Sequence, residues 1–415
     1  MARFFILSIN YSPEPTGFAP HATALAEHLG RRGHDVSVFT GFPFAPEWRR
    51  RPDDRGRWFA TERTAPGVTV HRLTHYIPRR PSSLAERAAM EGSFSAAAFA
   101  AVLPRLIRRS TRPDVILYMG AQPAIAMLAR VAAGLAGCAY FVNLNDLAAR
   151  AAADVGIVGS RMSRLLERFE FAAYRRAAGV SVLCRAFEEI LVSKGYPRDR
   201  IRLIRSPVDL ERVHPSPAGA FRGRHGIPAS AFVVMHAGSM GRKQALLDIV
   251  AAADRTRDAG ISWVLVGDGE MRPALVEAAR ARNLSAPAIV FVPFQDEDQM
   301  AEMFGSADVL LLSQVRDVKD TVIPSKLLTY MAAGRPVLAA VNGGSQGAEI
   351  LLEAEGGTLI PPEDPAALAA AALALKALPA EVRGTMAARN RAYAERHFDQ
   401  RRIVSAHESF MLARS

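Results

Sequence analysis

The sequence predicts an α/β protein made of two doubly wound parallel sheets that face each other across a cleft. Three observations carry this. The chain has 415 residues, too many for one ordinary core. Short apolar runs alternate with helical stretches along its length, the pattern of strand–helix–strand units. That pattern breaks once, over "IRSPVDLERVHPSPAG" at 204–219, where prolines and polar residues interrupt it. The expected domains are therefore 1–208 and 209–388. A polar helical segment, 389–415, is expected to cross back to the first domain.

The expected strands follow in order. The first half offers "FFILSIN" (4–10), "DVSVFTG" (35–41), "VTVHRLT" (68–74), "DVILYMG" (114–120), "AYFVNLN" (139–145) and "GVSVLC" (179–184). The second offers "FVVMHAG" (232–238), "SWVLVGDG" (262–269), "AIVFVPF" (288–294), "DVLLLSQ" (308–314), "RPVLAAV" (335–341) and "GGTLIPP" (356–362). These runs are continuously apolar rather than alternating, which implies burial on both faces. Ligands of such sheets sit beyond the carboxyl ends of the strands, so the residues that follow each strand carry the functional information.

After the first strand comes "NYSPEPTGFAPHATALAEHLGRRGHDVSVFT". Gly17 precedes a helix that Gly33 ends, and His21 lies in its first turn. A glycine loop at a helix N-terminus offers amides and a positive dipole end to an anion. There is no GxGxxG, so a nicotinamide dinucleotide is poorly supported. In the second half, "GSMGRKQ" places Arg242 and Lys243 beside two glycines, and "GDGE" (267–270) follows the next strand. "VRDVKDTVIPSK" then leads into a helix that opens with Ser325 and Lys326. Three loops thus bring glycines, helix starts or cations to one sheet edge, which reads as a diphosphate site.

Composition excludes several classes. Apolar residues make up 49% and charged residues 22%, as in an ordinary globular protein. Cys138 and Cys184 form no metal or redox motif, and reduced thiols in the cytosol are expected. "MARFFILSIN" does not read as a signal peptide, and no apolar run is long enough to span a bilayer. The net charge of +11 is uneven: residues 1–208 hold 30 Lys+Arg against 17 Asp+Glu, and residues 209–415 hold 22 against 24. Nucleic acid is not expected as the partner of this charge, since zinc spacing, RNP and helix-turn-helix signatures are all missing.

"NYSPEPTG…LAEHLGRRGHDVSVFT", "AGSMGRKQ", "LVGDGE" and "PSKLLTYMAAGRPVLAAV" resemble the GT-B-fold, family 4 glycosyltransferases. Within that family they are similar to the colanic-acid and fucosaminyl-transferase branch of bacterial polysaccharide synthesis. The resemblance covers nearly the whole chain. It implies two Rossmann-like domains and a retaining, metal-independent transfer from a nucleotide-sugar donor, with no cofactor. The C-terminal domain would hold the donor. The N-terminal domain would hold the acceptor, often a saccharide on a polyprenyl diphosphate at the inner face of the membrane. By position, Gly17, Arg242, Lys243, Ser325 and Lys326 are assigned to the donor diphosphate. Thr329, Gly267 and Phe294 are assigned to its ribose and base.

The sequence departs from the family at one pair of positions. Two glutamates eight residues apart, the second a ribose ligand, correspond here to Thr321 and Thr329. Asp317 and Asp320 are the candidates to take the place of the first. In the N-terminal half "NLNDLAARAAADVGI" places Asp146 where the family has an aspartate after a strand. Asp146 and His21 are the catalytic candidates, with a helix N-cap as the alternative role of Asp146. A GT-B-type nucleotide-sugar epimerase and a non-catalytic nucleotide-sugar-binding scaffold are the rival readings.

An anionic membrane surface is the remaining expected partner, with the protein peripheral on its cytoplasmic side. "WRRRPDDRGRWF" (48–59) combines five arginines with two tryptophans. Phe94, Phe99, Val102, Leu103, Leu106 and Ile107 then recur at helical spacing and end in Arg108 and Arg109. A basic amphipathic helix of this kind suits a bilayer surface, and a core-facing helix with solvated arginines is the alternative.

Overall fold

The computed structural model describes residues 1–14, 18–45, 47–81, 83–147, 160–318 and 323–414. The chain divides into two compact units, Met1–Ser206 with Arg401–Ser415, and Pro207–Gln400.

The first unit holds an eight-stranded sheet. Its strands are β1 (Arg3–Leu7), β2 (Asp35–Gly41), β3 (Phe59–Ala65), β4 (Val68–Leu73), β5 (Val115–Gly120), β6 (Ala139–Leu144), β7 (Gly179–Val182) and β8 (Ile201–Leu203). They lie in the order β3-β4-β2-β1-β5-β6-β7-β8. Every pair is parallel except β3 with β4. β1 and β5 are buried almost throughout, as strands covered on both faces must be. β3, "FATERTA", is a polar and largely exposed edge strand, which blunts the sheet edge against further pairing.

The second unit holds β9 (Phe232–Ala237), β10 (Ile261–Val266), β11 (Ile289–Val292), β12 (Val309–Ser313), β13 (Val337–Ala340) and β14 (Gly357–Ile360). Their order, β11-β10-β9-β12-β13-β14, is wholly parallel. It is the doubly wound order in which the chain reverses direction between the first and fourth strands of the unit. That switch point, β9 against β12, lies at the centre of the sheet. Two apolar clusters fill its faces, one around Val233, Met235 and Leu327, the other around Val234, Trp263 and Leu265. Trp263 is fully buried, and its indole N–H donates to Thr256 Oγ1 at 2.9 Å.

The end of the chain divides differently from the expectation of a crossing segment that starts at 389. Residues 389–400 belong to the second unit. Asn390 Nδ2 donates to the carbonyls of Arg335 and Gly356 at 2.8 and 2.7 Å. Arg391 Nη1 donates to those of Val213 and Ala332. The last helix, Gln400–Leu412, packs in the first unit. Glu408 accepts from His28 Nε2 at 2.8 Å and His34 Nε2 at 3.0 Å. His34 Nδ1 accepts from the Ala2 amide, so its proton is on Nε2, aimed at the carboxylate. Phe410 packs edge-on against Phe141.

The helix expected to face a bilayer is Leu84–Ile107, and its apolar stripe is used internally. Phe94, Val102 and Leu106 are buried, and only Ile107 at its end is well exposed. The end of the basic aromatic segment 48–59 does face solvent: Trp58 is 80% and Phe59 50% exposed. Trp48 is half-buried, edge-on to Phe44 with the Arg87 guanidinium over its ring.

Candidate functional site

The carboxyl ends of β9 and β10 meet backbone to backbone. The Gly238 amide donates to the Val266 carbonyl at 2.9 Å and the Met240 amide to the Asp268 carbonyl at 2.8 Å. The Met271 amide returns a bond to the Met240 carbonyl at 3.0 Å. This approach requires glycine. Gly238, Gly267 and Gly269 have φ of +127°, +133° and +153°, a region that L residues rarely enter. A Cβ on Gly269 would lie 2.5 Å from the Met240 carbonyl, and one on Gly267 would collide with the Gly238 carbonyl. β12 is tied to the same loop, since the Val315 amide donates to the Lys243 carbonyl at 2.9 Å. The three loops expected to converge are therefore joined by backbone hydrogen bonds.

Over this junction opens the helix Ser325–Ala332. Pro324 precedes it, and among the described residues no side chain caps it. Its buried face, led by Leu327, Leu328 and Met331, enters the core. Tyr330 fixes the helix to β9: its hydroxyl accepts from the Ala237 amide at 2.9 Å and donates to the Ala237 carbonyl at 3.0 Å. Lys326 then reaches across the first turn. Its Nζ donates to the Ser239 carbonyl at 3.2 Å and to His236 Nε2 at 3.1 Å. A Cβ on Gly238 would lie 2.5 Å from Lys326 Cε, so that glycine makes room for the lysine stem. Burial lowers the Lys326 ammonium from its ordinary value to about 8.

The other donor-side candidates differ in their surroundings. Arg242 is exposed and committed to a neighbour, with Nε 3.3 Å from Glu270 Oε2. Glu270 also accepts from the Arg242 amide at 3.3 Å. Lys243 and Ser325 are exposed at the same edge. Thr329 is half-buried, and its hydroxyl donates to the Ser325 carbonyl at 3.2 Å. Gly267 serves the backbone junction just described. Phe294, just past β11, is 64% exposed. Gly17, Asp320 and Thr321 lie outside the described residues.

In the first unit, Asp146 follows β6. It is half-buried, and its Oδ1 accepts from the Leu147 amide at 2.8 Å. His21 is the third residue of the helix Ala19–Arg31. It is buried, its ring 5.3 Å from that of His407. Burial pushes His21 down to about 4, so the imidazole is neutral near pH 7. Its Nε2 has no partner among the described residues, and a buried acceptor or donor of that kind is costly to keep.

Two buried polar side chains beside these loops escape a reading of the sequence. Glu14, inside "NYSPEPTG", is buried. Its Oε1 accepts from the amides of Phe44 and Ala45 at 2.8 Å each, and its Oε2 accepts from Asn10 Nδ2 at 2.8 Å. It thereby ties the loop after β1 to the loop after β2. His236 is the other. A histidine inside the apolar run "FVVMHAG" was its one visible signal.

A family model described as a glycosyl transferase 4-like domain matches residues 16–207, and one described as glycosyl transferases group 1 matches residues 231–377. The chain belongs to the group 1 glycosyltransferases. Its sheets are those of the GT-B fold. A sucrose-phosphate synthase from Thermosynechococcus elongatus superposes with a TM-score of 0.74 at 19% identity, covering 100% of this chain and 99% of that one. Anabaena HepE, solved in complex with UDP-glucose, gives 0.67 at 17% identity over 100% of both chains. Among curated relatives, the putative colanic acid biosynthesis glycosyl transferase WcaI of Escherichia coli K12 is 28% identical over 80% of this chain and 81% of its own. In this glycosyltransferase the group 1 match spans β9 to β14, and with them Lys326 and the glycine junction.

Proposed function

We propose that this glycosyltransferase moves a sugar from a nucleotide-sugar donor, with retention, to a saccharide carried on a polyprenyl diphosphate. The setting is bacterial exopolysaccharide or O-antigen synthesis. The observation that carries the reading is Lys326 at a helix start that no described side chain caps, directly over the glycine junction of β9 and β10. The site has the parts a diphosphate needs: helix-terminal amides, a close backbone and a mobile ammonium. As the sugar–oxygen bond breaks, charge grows on the leaving diphosphate, and these groups stabilise it. Because they supply the positive charge themselves, transfer proceeds without a divalent ion. HepE, with its bound UDP-glucose, and WcaI, named for colanic acid synthesis, support the donor class and the pathway class.

The acceptor is assigned to the first unit, with Asp146 and His21 placing its hydroxyl. The exposed Trp58, Phe59 and the arginines of 49–57 meet an anionic bilayer that carries the lipid-linked acceptor. The chain works on the cytoplasmic side as a peripheral protein.

One observation favours a second reading. The Thr329 hydroxyl is occupied by the Ser325 carbonyl, and the family carboxylate is missing there. A protein that binds nucleotide sugar without turning it over fits that loss. Incubating the protein with labelled nucleotide sugars, crude polyprenyl-linked acceptor and excess chelator separates the two. Transfer of label to lipid supports the enzyme. Saturable nucleotide binding with neither transfer nor donor hydrolysis supports the scaffold. Transfer that stops in chelator and returns with magnesium contradicts metal independence.

A further inference from the structure

We propose that His236 is a positioning residue that holds the Lys326 ammonium at the turn after β9 without neutralising it. The inference rests on the donor-site reading above and adds to it a second side chain that never touches the donor.

His236 lies on β9 with 1% of its surface exposed, in a strand otherwise made of Phe, Val, Met and Ala. An apolar residue would pack there at no polar cost, so a buried imidazole needs partners at both nitrogens. It has them. Nε2 is 3.1 Å from Lys326 Nζ, and Nδ1 is 3.3 Å from the Leu311 carbonyl on β12.

An ammonium has three N–H groups and no lone pair. Nε2 must therefore be the acceptor toward Lys326, and the ring proton is on Nδ1, donated to Leu311. The imidazole is neutral, as burial and the facing ammonium also require, since together they lower it to about 3. Among the described residues, His236 and the Ser239 carbonyl use two of the three N–H groups of Lys326. The third is left for an anion.

A carboxylate at position 236 would hold the lysine as well. It would also cancel the charge that a diphosphate must meet. A neutral ring fixes the geometry and leaves the full positive charge for the ligand, the arrangement that electrostatic preorganisation calls for.

Two substitutions separate the two ends of the ring. His236→Gln extends a neutral acceptor to about the Nε2 position. His236→Asn keeps a donor near the Nδ1 position and does not reach Lys326. Binding of UDP, GDP, ADP and dTDP is measured by titration calorimetry in EDTA, with melting temperatures alongside. The wild type is expected to bind at least one nucleotide. His236→Asn should weaken that binding by roughly tenfold, the scale of a lost hydrogen bond to a charged group, and His236→Gln should stay within about threefold. In a Lys326→Ala background His236→Asn should cost nothing more, because two residues that act through one contact are not additive.

Equal loss in the Gln and Asn variants, or full additivity with Lys326→Ala, overturns the positioning role and leaves the donor site standing. No binding of any of the four nucleotides by the wild type, or unchanged binding by Lys326→Ala, overturns the donor reading and this inference with it.

Discussion

Gly267 and Gly238 touch through their backbones: a Cβ at position 267 would occupy the space of the Gly238 carbonyl oxygen. Both residues have positive φ, so conformation and space forbid a side chain independently. Gly267→Ala should cost about 2–4 kcal/mol, from strain plus a forced separation of the two loops. Gly384 provides the control. It lies inside the helix Ala380–His397 with nothing near its Cβ position, and Gly384→Ala should stabilise by about 0.5–1 kcal/mol. Chemical denaturation of both variants checks the pair. Equal midpoints would show that the junction is looser than described.

Acid should destabilise the fold well above the usual carboxylate range. His21 and His236 are buried and neutral, with folded values lowered to about 4 and about 3. An unfolded histidine titrates near about 6.5. The folded value is the lower one, so the unfolded chain takes up protons first as pH falls. Stability is full above about pH 6.5 and declines progressively toward about pH 4. A melting temperature that stays flat from pH 7 to 4.5 would contradict the neutral, buried assignment of both rings.

Membrane binding should follow the 48–59 segment and not the stripe of the helix that succeeds it. Full-length protein should sediment with anionic vesicles and be released by salt. Replacing both Trp58 and Phe59 with serine should weaken sedimentation several-fold while the melting temperature holds, since both side chains are exposed. Equal, salt-insensitive binding to neutral and anionic vesicles would argue against an electrostatic surface contact.

Most of the strands legible in the sequence are buried on both faces, with β14 half-buried along its length. All twelve expected strands form because continuous apolar runs have few alternatives in a doubly wound sheet. β3 and β8 escaped notice, one a polar edge strand and the other only three residues long. The direction in which Phe94, Val102 and Leu106 point was not legible. An amphipathic helix carries the same spacing whether its apolar face meets a core or a bilayer. Arg242 was expected at the diphosphate from its place beside two glycines. Its pairing with Glu270 joins residues 28 apart and depends on how two loops pack. His236 stayed hidden for the same reason, as its partner is 90 residues away.

Sugar transfer to crude polyprenyl-linked acceptor by wild type, Lys326→Ala and Lys326→Arg, in chelator and with melting temperatures recorded, tests whether Lys326 meets a diphosphate. Alanine should lower the rate by roughly 10²–10³, as removal of a single charge-stabilising donor does elsewhere. The melting temperature should fall by no more than about 2–4 °C, the loss of one partner for His236 and Ser239. Arginine should restore only part of the rate, because a guanidinium fork is bulkier than the compact ammonium that Gly238 accommodates. Transfer by Lys326→Ala at nearly the wild-type rate, with an intact fold, would show that Lys326 does not meet the diphosphate.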